Sequence, residues 1–482
     1  WDAVLDRVAG RRLGMAVEAQ GLFNRTLAEP DVSAGRRLTT AVAAPYRNVE
    51  SYPPVTFSNV DEVDLHIQWE QIGVPYHSPH NVDFYRRPGK RGWAHPEIWN
   101  DDGTGGQILP SLFMLAMRGA DGVGCSGEVP PWAGQGVGLA DDPRLAHYGN
   151  ASVWRAANRL FATYGPLFAA LENDDRVAIA VSGRMYKTDD WHHVTGLHFA
   201  RQMEAYIACL HAHHPASYVF ADDLTPDSLK PFKAVLIVDQ RVEFEPELLA
   251  ALKDAQRDGA KVLYDGTCRA EVVREFTPLG YAFDSLEKDR SPAGDDSAYW
   301  RFADHGRAGA AVLAPLLDAI VPPAARVLDD QVLISQRRGG AGRYLWVVNN
   351  TMPRLEPGHV WRVTLGLTSR VPVSLPVKIT APAAAVYDVF AMRRVEPGNG
   401  IVEADLRDLP ARLFALLPEA VAGVSIETAA GARAGQAVEW RVRVVGADGE
   451  PLDAAVPVRL RAVCRDRGLA EEFAGADAGG AA

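Results

Sequence analysis

Glu97 stands between two tryptophans, Trp93 and Trp99, in the run RGWAHPEIW. A carboxylate flanked by indole rings suits a carbohydrate. One face of a pyranose is apolar enough to stack on an aromatic ring, and glycosidic bonds are cleaved by paired carboxyls. The surrounding residues 86–127 read as a βαβ unit: a strand over 90–99, a helix over 107–118 and a second strand over 120–127. The acid then falls at the C-terminal end of a strand, where a (β/α)8 barrel places its chemistry. A surface loop carboxylate following Pro96 is the competing reading.

Further candidates flank this unit. In VDLHIQWE, strand alternation sends His66 and Gln68 one way and Leu65, Ile67 and Trp69 the other. His66 and Trp69 are candidate sugar contacts, with core packing the alternative for Trp69. In SGEVPPW, Trp132 is a candidate stacking platform and Glu128 a candidate hydroxyl acceptor; loop packing accounts equally for both.

Rival chemistries are less well furnished. Cys268, in YDGTCRAEV, follows a strand-like run, but no glycine elbow surrounds it and no His-x-Glu follows. A nucleophilic cysteine needs a base, and without one a thiol is ordinarily inert. His192, His193, His198, His211, His213 and His214 crowd one region. HAHH sits where a helix should end, where positive charge opposes the dipole. With no HExxH and no cysteine pair, no metal site and no cofactor are expected. GGAG at 339–342 joins two strand-like runs and reads as a hairpin turn, not a phosphate loop.

The elements that must position these residues fall into blocks. A chain of 482 residues with 47% hydrophobic and 23% charged content is a multi-domain globular protein. A net charge of −11 argues against a nucleic-acid partner. No apolar run is long enough to span a bilayer. Four scattered cysteines define neither a zinc site nor a disulfide framework. The chain opens on Trp1, already within a helical pattern, and stops shortly after a β-rich run. It therefore reads as a fragment, and its compartment stays open.

Residues 1–150 hold a helical start and strand-like runs at 36–44, 62–70, 90–99 and 120–127. Four parallel strands with crossovers are half of a (β/α)8 barrel. Residues 151–174 form a helical connector. Residues 175–292 repeat strand and helix: RVAIAVSG, an amphipathic helix with Phe199, Met203, Tyr206 and Leu210 on one stripe, SYVFADD, AVLIVDQ, a helix and KVLYDG. That is a doubly wound, flavodoxin-like pattern. From 293 to 420, short β-branched and aromatic runs between Gly, Pro and Asn describe a β-sandwich. Residues 421–482 start an immunoglobulin-like module that is cut off before completion. The fold class is thus α/β followed by β.

This order resembles the clan A glycoside hydrolases of the family 42 β-galactosidase type. The resemblance extends over roughly residues 1–420, and the domain order carries it. It implies a TIM barrel, a middle domain like a class I glutamine amidotransferase but non-catalytic, and a small β domain. It implies retaining hydrolysis of a β-linked oligo- or polysaccharide, and possible trimer contacts through the middle domain. It also implies two glutamates, at the ends of barrel strands 4 and 7. If the strand ending in GVGCSG is the eighth, HPEIW ends the seventh and Glu97 matches the nucleophile. The acid/base position, normally preceded by Asn, would lie upstream of Trp1. No Asn-Glu pair occurs in residues 1–150, so this chain alone is expected to be inactive. The alternative is a non-catalytic carbohydrate-binding or cell-surface scaffold with a decayed barrel.

Overall fold

A computed structural model describes residues 40–43, 62–67, 76–86, 88, 91–96, 108–123, 147–191, 197–285, 297–351, 371–428, 440–464 and 467–476. The chain divides into two compact units. One draws on residues 1–147, 175–322 and 352–369; the other on 148–174, 323–351 and 370–482.

The first unit opens with strands β1 (Thr40–Ala43), β2 (Glu62–Ile67), β3 (Arg91–Pro96) and β4 (Gly122–Val123). They pair in sequence order and all run parallel. Helix α1 (His77–Tyr85) connects β2 to β3, and α2 (Ile108–Met117) connects β3 to β4. Consecutive parallel strands joined by helices are the repeat from which a (β/α)8 barrel is built. The sequence of α2, ILPSLFMLAM, is apolar on every side. A helix of that kind must be covered all round, and Leu112, Phe113, Met114, Leu115 and Met117 are fully buried.

The chain next passes through α3 (His147–Ala170) and β5 (Glu172–Asn173), which belong to the second unit. It re-enters the first at β6 (Val177–Val181), where all five residues are buried. A strand of small and β-branched residues with no polar face needs layers on both sides, the situation of a parallel sheet. Helices α4 (Gly183–Trp191) and α5 (Leu197–His211) lead to β7 (Ala216–Phe220). The unit continues through β8 (Ala234–Ile237), α6 (Pro246–Arg257), β9 (Lys261–Tyr264) and β10 (Thr277–Pro278). The sheet order is β10-β9-β8-β6-β7, all parallel. Counted within this sheet the order is 2-1-3-4-5, the doubly wound arrangement. Leu248, Leu252 and Ala255 of α6 are buried and pack with Val235, Ile237 and Val262.

Helix α7 (Ser297–Ile320) runs beside α5. Their close approach depends on Gly306. A Cβ there would lie 2.4 Å from Ile207 Cγ2 and 2.9 Å from His211 Cδ2. The stripe on α5 meets its neighbours as the 3.6 period requires, with Met203, Tyr206 and Leu210 buried.

The second unit contains a β-sandwich. One sheet has order β11-β14-β17, with β11 Ala325–Val327, β14 Ser374–Ile379 and β17 Ile401–Asp405. The other adds β12 (Val332–Gly339), β13 (Gly342–Asn349), β15 (Ala385–Asp388), β16 (Arg393–Val395) and β18 (Ala411–Leu417) to β5. Its order is β16-β15-β18-β13-β12-β5, antiparallel throughout. Buried and exposed residues alternate along β14 and β17. Val377 and Val402 from one sheet meet Ile334, Leu345, Val347 and Phe414 from the other in one core. The β12–β13 turn has two residues, and Gly340 takes φ +62°, a left-handed angle that favours glycine.

Strand β13 is buried on both faces because α3 covers its outer side. Trp346 is fully buried, with ring centroids 5.1 Å from Phe168 and 5.8 Å from Phe390. Buried Arg337 donates to the carbonyls of Phe168 (2.9 Å) and Leu171. It thereby supplies donors to carbonyls at the end of α3. Two hairpins complete the described chain. One joins β19 (Gly423–Thr428) to β20 (Trp440–Val445), the other β21 (Val456–Cys464) to β22 (Arg467–Ala476).

Candidate functional site

The parallel sheet β1–β4 sets the frame for the sugar-directed residues. In its register His66 lies opposite His95, and Ile67, the last residue of β2, opposite Pro96, the last of β3. The two strands therefore end level. Glu97 is the next residue in the chain after β3 and lies outside the described residues, as do Trp69, Trp99, Glu128 and Trp132. His66 and Trp93 lie within β2 and β3, where the strand backbone is described. Trp93 is in register with Asp64 on one side and Gly122 on the other.

At the ends of α1 and α2 lies a buried ion cluster that sequence reasoning missed. Arg118, one residue past α2, is fully buried. Its Nε donates to Asp83 Oδ2 at 2.5 Å, and its Nη1 to Asp175 Oδ1 at 3.0 Å. Its Nη2 donates to Asp175 Oδ2 and to the carbonyl of Ala216 (3.4 Å). The Tyr206 hydroxyl donates to Asp83 at 2.5 Å, and the Ser217 hydroxyl to Asp175 at 2.6 Å. Burial works against the Arg118 charge, but Asp175 and Asp83 overcome it and hold the guanidinium well above its ordinary range. Burial, reinforced by Asp83, pushes the Tyr206 phenol well up, so it stays a donor. The cluster ties α1 and the end of α2 to β6, β7 and α5 inside one unit. The available signal was an arginine ending an otherwise apolar helix, with no polar face to lie on.

A second polar assembly lines the carboxyl edge of the doubly wound sheet. Asp239, just beyond β8, is fully buried and takes φ +56°. A non-glycine residue at this angle carries backbone strain that neighbouring contacts must hold. His198 Nδ1 lies 3.2 Å from its Oδ2, Arg241 Nε 3.1 Å from Oδ1, and Arg201 also pairs with Oδ1. Burial pushes this carboxyl up, yet the His198 hydrogen bond and the charges of His198, Arg241 and Arg201 outweigh it and hold the group below its usual range. A depressed carboxylate stabilises the fold above its unfolded value of about 3.9, and that stability drains as pH falls through the folded value. Acid unfolding of Asp239→Asn is therefore expected to show a shallower pH dependence below about pH 4 than the parent chain. Parallel slopes in denaturant melts across that range would remove Asp239 from the acid response.

Cys268 belongs to the same edge. Its Sγ lies 3.2 Å from Asp265 Oδ1 and 3.6 Å from the Ile237 carbonyl, and it accepts the Gln240 N–H at 3.3 Å. Among the described residues no histidine hydrogen-bonds it. Burial, reinforced by the Asp265 charge, pushes its thiol well up. Among the described residues the thiol has no base of the kind an amidotransferase nucleophile needs. We expect Cys268 in the folded chain to resist iodoacetamide at about pH 8, as a protonated thiol should. Peptide mapping showing its complete alkylation before unfolding would restore it as a candidate nucleophile.

The histidines disperse. The Tyr76 hydroxyl and His211 Nε2 are 2.8 Å apart, and His214 Nε2 is 2.8 Å from Asp318 Oδ1. His192 and His193 lie outside the described residues. Among the described residues no three His, Cys, Asp or Glu side chains group as a metal site, and no helix is long and apolar enough to cross a membrane.

Comparison with known proteins places this architecture. No family model matches the chain, and no curated protein matches it. Solved structures do. The β-galactosidase from Bacillus circulans sp. alkalophilus aligns at TM-score 0.51 and 9% identity, over 80% of this chain and 65% of that one. A catalytic mutant of Gan42B, a GH42 β-galactosidase from G. stearothermophilus, aligns at TM-score 0.50 and 12% identity, over 80% and 64%. The cold-adapted β-galactosidase from Rahnella sp. R3 aligns at TM-score 0.50 and 11% identity, over 84% and 68%. The chain thus has a fold similar to GH42 β-galactosidases: a parallel β/α sheet of barrel type, a further α/β part and β domains. It spans about two thirds of the length of these structures.

Proposed function

We propose that the chain carries the nucleophile-bearing part of a retaining glycoside hydrolase acting on β-linked sugars of the β-galactoside type. The observation behind this reading is Glu97's place in the sequence, directly after β3 of a parallel sheet whose fold is shared with β-galactosidases. Retention needs two carboxyls about 5–5.5 Å apart. The Glu97 carboxylate attacks the anomeric carbon, the leaving oxygen departs with a proton from the acid/base carboxyl, and water then cleaves the glycosyl ester. His66, Trp69, Trp93, Trp99, Glu128 and Trp132 are assigned to sugar contacts. This reading takes residues 1–150 as the barrel part, 151–174 as a connector that also joins the sandwich sheet through β5, 175–292 as an amidotransferase-like, non-catalytic domain that contributes homotrimer contacts, 293–420 as a sandwich preceded by helix α7, and 421–482 as an immunoglobulin-like part.

The acid/base carboxyl of this reading is not assigned to a residue. The nucleophile can be tested without its partner. A 2,4-dinitrophenyl leaving group departs without a proton, and a 2-fluoro substituent slows release of the ester. Incubating the chain with a 2,4-dinitrophenyl 2-deoxy-2-fluoro-β-galactoside is expected to label Glu97, and Glu97→Gln to abolish labelling, because an amide cannot form the ester. A label on another carboxylate, or none, would favour a non-catalytic carbohydrate-binding or cell-surface scaffold.

A further inference from the structure

We infer that the carboxyl edge of the doubly wound sheet is a ligand crevice filled by the chain's own carboxylates, with the Glu245 side chain in the place of a bound acid. Sheets of this order take ligands outside the carboxyl ends of the strands, where the order reverses. Here that point lies between β6 and β8, because β7 is added on one side of β6 and β8 on the other. The segments bordering it are Ser182–Arg184 and Val238–Glu245.

Glu245 precedes α6, yet it serves α4. Its Oε1 accepts the Arg184 N–H at 3.0 Å and the Ser182 hydroxyl at 3.2 Å. Arg184 lies in the first turn of α4, where unpaired N–H groups and the helix dipole attract an anion. The second oxygen, Oε2, is buried with no hydrogen-bond partner among the described residues. A buried oxygen without a donor is costly, so the bonds to Oε1 must hold the group in place. The clasp is reciprocal. Arg184 Nη1 donates to the carbonyls of Phe244 (3.1 Å) and Glu243 (3.4 Å), and the Arg241 N–H to Met185 Sδ (3.2 Å).

The adjoining strand ends, of β8 and β9, are occupied by a carboxylate in the same way. Asp265 accepts the N–H groups of Asp239 (3.0 Å), Thr267 (3.2 Å) and Phe283 (3.1 Å), with the Thr267 hydroxyl at 2.7 Å. These are the backbone and hydroxyl donors that an acidic ligand would otherwise recruit. The N–H groups of Arg184, Asp239, Thr267 and Phe283 and the Ser182 hydroxyl are met without a ligand, and emptying the Glu245 position leaves a seat for a small carboxylate.

Formate is the probe. Glu245→Ala in the 482-residue chain should melt below the parent, and sodium formate should raise its midpoint saturably against sodium chloride of equal ionic strength. The parent and Glu245→Gln should not respond, since each still fills the seat. A parent-like midpoint for Glu245→Ala, or an equal formate response in all three, overturns the inference. Should Glu245→Ala not fold, hydrogen exchange of Glu245→Gln decides. The Arg184 amide should exchange about tenfold faster, because it exchanges a charged acceptor for a neutral one. Unchanged Arg184 exchange in that variant overturns the inference as well.

Discussion

Arg118→Ala is expected to lower the stability of the first unit by about 3–5 kcal/mol, the range for breaking a buried ion cluster by removing one partner. The physical reason is what stays behind. Asp83 and Asp175 lose the guanidinium that lies between them, and both remain buried. Each carboxylate side chain is only 2% exposed, so each must find another donor or take up a proton. Asp83 keeps the Tyr206 hydroxyl and Arg86, whose Nη2 lies 3.6 Å from its Oδ1, while Asp175 keeps the Ser217 hydroxyl. One comparison separates this cause from simple loss of packing. Arg118→Met combined with Asp83→Asn and Asp175→Asn removes all three charges and should be more stable than Arg118→Met alone. Urea melts with exchange readout in β6 and α5 would measure it. A loss below about 1 kcal/mol, the size of an exposed pair, would mean that the cluster is solvated.

Trp346→Ala should cost the second unit about 3–5 kcal/mol, the usual penalty for truncating a fully buried large aromatic. The indole fills the space between β13 and α3, against Phe168 and Phe390. Its removal leaves a void lined by two rings that the sheet cannot collapse upon, because β13 is held by β12 and β18 on either side. Exchange should accelerate in α3 as well as in β13, since the helix is anchored there through Phe168 and the Arg337 bonds at its end. If α3 kept its protection while β13 lost its own, the helix would owe its place to something other than this contact.

Much of the architecture could be read from local pattern, because local pattern is what secondary structure responds to. The unbroken run VAIAV announced a strand covered on both sides, and β6 is buried at every position. The spacing of Met203, Tyr206 and Leu210 announced the buried stripe of α5. GGAG announced the tight turn between β12 and β13. The doubly wound domain followed from the alternation of such runs, and the sheet order 2-1-3-4-5 agrees with it. Glu97 was proposed from the same kind of local pattern, an acid between tryptophans in the sequence, and it lies outside the described residues.

What the sequence alone could not supply is the pairing of charges distant along the chain. Arg118 meets Asp83 across 35 residues and Asp175 across 57, and Ser182 meets Glu245 across 63. A helical or strand period relates a residue to neighbours two to four positions away, so it carries no information about such partners. LIVD and VLYD each end in an aspartate and could be read as strand termini. Only the stacking of β8 beside β9 brought the Asp239 N–H onto Asp265. By itself the sequence marked many of the strands and helices, though it read residues 293–420 as β throughout and missed helix α7 (Ser297–Ile320) there. The tertiary structure decided which buried charges neutralise one another, because that depends on the distance between elements after they pack.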